Sequence, residues 1–156
     1  MRARQKLHLE NFVPYRLSVL SNTVSSAIAA AYFLHFGLSI PEWRVMAILA
    51  ASPGLSAAEV TARTAMDKVA VSRAVAALIA AGRLRRTTAA ADRRRTHLEL
   101  TVAGMRVYAR VVPMALEYER ALMTPLSKRD RATLDRLLRV LLGRAVELGP
   151  AHTDGR

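Results

Sequence analysis

Ser56-Ala57-Ala58-Glu59-Val60-Thr61-Ala62-Arg63, then Thr64-Ala65-Met66, then Asp67-Lys68-Val69-Ala70-Val71-Ser72-Arg73, places two helix starts in quick succession. Ser56-x-x-Glu59 is a capping box, in which hydroxyl and carboxylate satisfy each other's backbone N–H groups. It predicts a short helix ending near Arg63. Asp67 is a good N-cap for a second helix running to Ala81, with Gly82 as its stop. Two short helices joined by three or four residues form a helix-turn-helix.

The second helix has a clear inside. Val71, Val75, Leu78 and Ile79 fall on one face, which sets Val69, Ala70, Arg73, Ala76 and Ala77 on the other. Ser72 lies on the flank and Lys68 in the first turn. Small outward side chains let a helix enter the major groove closely. An arginine forks onto guanine or phosphate, and Ala or Val touches a thymine methyl. First-turn N–H groups also favour a phosphate. An ordinary surface helix, with alanines chosen for propensity, accounts for the same residues.

Downstream the period changes. Leu84–Thr88 and Thr96–Leu100 read as short strands, the second with Leu98 and Leu100 inward and His97 and Glu99 outward. Between them, Ala89-Ala90-Ala91-Asp92-Arg93-Arg94-Arg95 forms a charged hairpin tip. Thr101 caps a long helix to about Leu122, and Ser127-x-x-Asp130 opens the last one, with Leu134, Leu137, Leu138, Leu141 and Leu142 on one face. Upstream, a helix spans about Asn11 to Phe36, with Pro14 in its first turn and Gly37 at its end. Ser39-x-x-Glu42 opens another through Trp43, Met46 and Leu49, broken by Ser52-Pro53-Gly54.

Charge sharpens this pattern. The 156 residues carry 24 Lys and Arg against 12 Asp and Glu, a net +12, on a chain that is 52% hydrophobic and therefore folded. Residues 61–110 hold eleven of the cations against three acids, eight of the twelve net charges. Six arginines and one aspartate fall within Arg83–Arg95, a composition suited to phosphate forks and groove insertion. A polyanionic partner is expected.

Other classes recede. No cysteine is present, which excludes disulfides, Fe–S clusters, thiolate zinc and thiol redox switching. There is no G-x-S-x-G, no phosphate-binding glycine loop and no H-E-x-x-H. His8, His35, His97 and His152 have no i, i+4 histidine partner. No catalytic residue, cofactor or metal site is therefore expected; a composite site around His97 is the residual enzymatic alternative. Met1–Lys6 is basic, but Glu10, Asn11 and Pro14 follow where a secretory signal needs an apolar run. The longest uncharged apolar runs, Ala27–Leu34 and Ala74–Ala81, are eight residues each. Spanning a bilayer takes about 18–20, so a soluble cytoplasmic protein without a membrane partner is expected.

Taken together, the second helix, the hairpin and the helix after it resemble the MarR (multiple antibiotic resistance regulator) family. The residues that carry the likeness are Asp92-Arg93-Arg94, then Leu100-Thr101 and Gly104. The family's wing has an Asp, an Arg two on, and Leu-Thr followed by Gly three later, at this spacing. Leu78 to Gly82 with Leu84 and Arg86, Pro41-Glu42-Trp43, and Asp67–Arg73 also fit. The likeness runs from about Asn11 to Leu148.

It implies a dimeric winged helix-turn-helix repressor on double-stranded DNA, the terminal helices of two chains interlocked and each wing reaching a minor groove. By position, Asp92 would brace the wing through a salt bridge and Arg94 would enter the groove. Arg93 and Arg95 add charge beyond the family pattern, leaving open which arginine inserts. A narrow A·T-rich groove attracts it. The major-groove set is Lys68, Val69, Ala70, Ser72 and Arg73.

Residues alone support part of this. Phe12, Leu17 and Leu20 with the leucines of the last helix need a partner surface, most simply a symmetric one, although packing within one chain would also cover them. Family members commonly release DNA on binding small anionic or phenolic ligands between the lobes. Candidate contacts are Tyr15, Arg16, Ser18, Asn22, Ser26, His35, Trp43 and Arg44. Trp43 also suits a core anchor, His35 a helix cap, and the arginines ion pairs with Glu42 or Glu117. The stretch Tyr15–Asn22 with Asp67-Lys68-Val69 is similar to members answering aromatic acids or their CoA thioesters. The expected architecture is mainly α with a small β-hairpin wing. A winged helix-turn-helix spans 37–100, a helical dimerisation region 1–36 and 101–148, and a flexible tail 149–156. A sequence-independent architectural DNA binder is the rival, needing only the charge.

Overall fold

The computed structural model describes residues 6–89 and 92–149, without the side chains of Ala89 and Asp92–Arg95. The tail expected beyond Gly149 lies outside the described residues. After a single 3-10 turn at Leu9–Asn11 come α1 (Val13–Phe36), α2 (Ile40–Ala51), α3 (Ala57–Arg63) and α4 (Lys68–Ala80). A hairpin of β1 (Leu84–Ala89) and β2 (Asp92–Leu100) follows, then α5 (Val102–Leu122) and α6 (Lys128–Leu148). The chain divides into two compact units, Met1–Leu116 and Glu117–Arg156, with the boundary inside α5.

Local chemistry sets the helix ends. The boxes Ser39/Glu42, Ser56/Glu59 and Ser127/Asp130 each make both reciprocal bonds. The Asp67 carboxylate accepts from the Ala70 N–H at 2.8 Å. Gly37 ends α1 with φ +61°, a left-handed conformation that glycine adopts without strain.

In the first unit, α2, α3 and α4 pack around Val45, Met46, Leu49, Val60, Val71 and Leu78, all at most 1% exposed. Leu84 and Leu98 seal the hairpin to this core. Leu55, between α2 and α3, adds a one-residue antiparallel bridge to Leu98; the Leu98 N–H donates to the Leu55 carbonyl at 2.9 Å. This short third rung is absent from the sequence pattern.

One junction ties four elements together. The Arg83 N–H donates to the Leu78 carbonyl at 2.9 Å, closing α4, and the Arg83 carbonyl accepts from the Thr101 N–H at 3.1 Å. Thr101 Oγ1 donates to the Gly82 carbonyl at 2.7 Å and accepts from the Gly104 N–H at 3.1 Å. The Arg83 guanidinium donates to the Phe36 carbonyl, at the end of α1, at 2.6 Å. Arg110 stands 5.0 Å over the Phe36 ring. Leu-Thr followed by Gly is therefore the clasp that seats α5 on the exit of α4.

The hairpin differs from its expected outline. Pairing runs from Leu84↔Leu100 to Thr88↔Thr96, then jumps to Ala89↔Asp92, placing Arg93, Arg94 and Arg95 between two paired positions. Backbone expected in the tip thus belongs to the strand. The reason is that Asp92-Arg93-Arg94-Arg95 contains no alternating apolar residue, so this part of the strand has no hydrophobic signature. His97 is half-buried rather than outward, its Nδ1 lying 2.6 Å from the Gly54 carbonyl oxygen.

α1 departs from expectation in another respect. Its 24 residues, with a mean hydropathy of 1.4 over an 18-residue window, are long and apolar enough to cross a membrane by length and composition. Its uninterrupted apolar runs are nonetheless short, because Ser18, Ser21-Asn22-Thr23 and Ser25-Ser26 break them while barely altering the average. The helix also carries Pro14 at its start as expected.

In the second unit, the Arg131 guanidinium donates to the Met123 and Leu126 carbonyls at 2.6 and 3.0 Å, closing the turn before α6. Arg139 pairs with Asp135 and Arg144 with Glu147 on the polar side of α6. No residue of α6 is buried.

Candidate nucleic-acid interface

The inward face of α4 is fixed by Val71, Ala74, Val75 and Leu78, each at most 4% exposed. That orientation turns Lys68, Val69, Ser72, Arg73, Ala76 and Ala77 to solvent. Val69, Ser72, Arg73 and Ala76 follow i, i+3, i+4, i+7 and form one exposed stripe. Ala70 is half-buried rather than fully outward, and Ile79 is half-buried rather than sealed; both sit at the edge between the two faces.

Beside the stripe, Lys68 and Ser72 of α4 and Arg86 of β1 line the same cleft of about 350 Å³ against α3. Two cations and a hydroxyl lining one cleft suit a phosphate. Arg86 was legible as one of a run of arginines and as part of the family likeness; its place in one cleft with Lys68 depends on how the hairpin docks. Arg85 is instead occupied by Glu99, its cross-strand partner, at 2.9 Å. The wing side chains Asp92, Arg93, Arg94 and Arg95, with the salt bridge expected of Asp92, lie outside the described ones.

A second constellation lies between α1, α2 and α5 in the first unit. Trp43 stacks on Tyr108 with ring centroids 5.7 Å apart and meets Tyr32 at 5.8 Å. Arg44 donates to Ser25 Oγ at 3.3 Å. Burial pushes the Tyr32 phenol above its ordinary pKa, against a smaller opposing pull from Arg44. Trp43 therefore does anchor the core, with one face of the cluster aromatic and Arg44 at its edge. Tyr32 and Tyr108 belong to this cluster although nothing in their sequence spacing sets them apart from other apolar positions of α1 and α5. Tyr15, Arg16, Ser18, Asn22, Ser26 and His35 are exposed along α1, and the structure does not gather them into this cluster. Among the described residues, no group of three or more His, Asp or Glu is placed to hold a metal.

Residues 36–95 match the model of the MarR family. No curated protein matches the chain significantly. Among solved structures, a MarR/EmrR family transcriptional regulator from Acinetobacter sp. ADP1 superposes with a TM-score of 0.82 at 24% identity, covering 88% of this chain and 97% of that one. Bordetella bronchiseptica BpsR, whose DNA binding is regulated by 6-hydroxynicotinic acid, gives 0.76 at 23% identity, over 88% and 97%. A mutant MarR from E. coli complexed with operator DNA gives 0.75 at 19%, over 88% and 99%.

Proposed function

We propose that this chain, whose residues 36–95 match the model of the MarR family, is a winged helix-turn-helix transcriptional regulator of that family, a homodimeric, ligand-responsive repressor of a near-palindromic operator. The family's members are regulators of transcription, not enzymes. The observation that carries the reading is the solvent-facing stripe of α4, which sets Ser72 and Arg73 between Val69 and Ala76 on the side opposite the buried Val71, Ala74, Val75 and Leu78. α4 enters the major groove, Lys68 and Arg86 hold backbone phosphates, and Arg94 with its neighbours enters the minor groove. The dimerisation region comprises 1–36 and 101–148, and the protein works in the cytoplasm.

The regulating ligand is an aromatic acid or an aromatic acyl-CoA. Its ring rests against the Trp43 cluster and Arg44 pairs with the carboxylate or another anionic group. Tyr15, Arg16, Asn22 and Ser26, exposed on α1 away from that cluster, are not among its contacts within one chain. The likeness to BpsR, whose ligand is an aromatic acid, supports this chemistry.

Selection of bound sequences from a random DNA pool tests the reading. A palindrome with half-sites about 34–36 Å apart is expected. No enrichment would favour sequence-independent binding and overturn it. With the selected duplex in hand, a panel of aromatic acids and acyl-CoAs is expected to include one that lowers affinity by about 5–150-fold. No change across the panel would overturn the proposed ligand class.

A further inference from the structure

We propose that Val69 reads a thymine, its side chain packing on the C5-methyl group in the major groove; this rests on the function proposed above. Among the described residues between Gly37 and Thr101, Val69 is the one large hydrophobic side chain that is exposed, at 58%. Every comparable side chain of this lobe is covered or half-covered, so Val69 is an exception to an otherwise complete burial pattern. Helix propensity does not account for it. A β-branched residue is a poorer helix former than alanine, and the other apolar positions on this outward face, Ala76 and Ala77, are alanines.

Its position gives the exception a partner. Val69 heads the stripe that continues through Ser72, Arg73 and Ala76. It lies in the first turn of α4, beside Lys68 and two residues past the Asp67 cap. The side chain is short and stiff, so ordering it against a base edge sacrifices little rotamer freedom. In the major groove the thymine methyl is the apolar group that distinguishes its base pair; the other edges present donors and acceptors that an isopropyl group cannot satisfy. Val69 therefore specifies by shape and apolar contact, leaving hydrogen-bonded recognition to Arg73 and Ser72.

The test uses a duplex selected from the random pool, compared with duplexes carrying deoxyuridine in place of thymine at one position at a time. Deoxyuridine removes a single methyl and keeps every hydrogen-bonding group. One symmetric thymine position is expected to lose about 4-fold in affinity when changed in one half-site, and about 15-fold when changed in both. Val69→Ser, which offers the methyl a hydroxyl instead of an apolar group, should bind the thymine and deoxyuridine forms of that position alike, while Val69→Ile should keep the discrimination. Circular dichroism melting of both variants checks that the fold is retained. Indifference of the natural chain to deoxyuridine at every position would overturn the inference. So would a full methyl dependence that survives in Val69→Ser, or a selected motif with no thymine in common. All three outcomes leave sequence-specific binding standing, whereas a pool with no enrichment removes that function and this inference together.

Discussion

A methyl group added at Gly104 would lie 2.0 Å from the Arg83 carbonyl oxygen, a backbone atom already held by the Thr101 N–H. Relief would require α5 to move off the exit of α4. Gly104→Ala is therefore expected to lower stability by about 1–3 kcal/mol, read as a lower denaturant midpoint. An unchanged midpoint would mean that the clasp is not rigid. Arg73 presents the opposite case. Its side chain is exposed, so Arg73→Ala should leave the melting temperature unchanged. If it reads a base, operator affinity should fall by about 1–3 kcal/mol, with relaxed preference at one position of the half-site, as seen by filter binding against single-base variants.

At the scale of elements, α4 depends on its first turn. Asp67→Ala removes the acceptor for the Ala70 N–H and is expected to cost about 0.5–2 kcal/mol of stability, whereas Asp67→Asn should retain most of it. In the wing, Arg94→Ala should weaken binding across sequences and flatten the dependence of log K on log salt by about one per chain. An unaltered slope would place Arg94 away from phosphate. Caps and stops were the most legible features, since Ser39, Ser56, Asp67 and Ser127 act on backbone groups two or three residues away. The inward face of α4 was legible for the same reason, apart from its edge residues Ala70 and Ile79. What sequence did not reveal depends on distant partners. Leu55 joins β2 through a single rung, and Arg83 reaches back to the end of α1. Asp92–Arg95 extend a strand in whose sequence no apolar residue alternates. The meeting of Tyr32, Trp43 and Tyr108 likewise requires three helices to be docked.

At the scale of the whole molecule, each unit by itself leaves an apolar helix face uncovered. Leu17, Val19 and Leu20 of α1 are 41–56% exposed, and Leu137, Leu138, Leu141 and Leu142 of α6 are 44–67% exposed. Full burial of one such side chain is worth about 1.5–3 kcal/mol, so several together favour association strongly. A second copy is the proposed cover. Leu138→Glu is expected to shift the protein from dimer to monomer in sedimentation velocity and to abolish high-affinity operator binding. A monomeric natural chain, or one that partitions onto lipid vesicles through α1, would contradict that assignment.

Whether the chain reads the sequence of DNA or only its charge is decided by one ratio. It is the affinity for the selected palindrome divided by the affinity for a randomised duplex of equal length, both measured at physiological salt. The expected ratio is about 10³ or more. A ratio near one would mean that the net +12 charge acts without the geometry of α4.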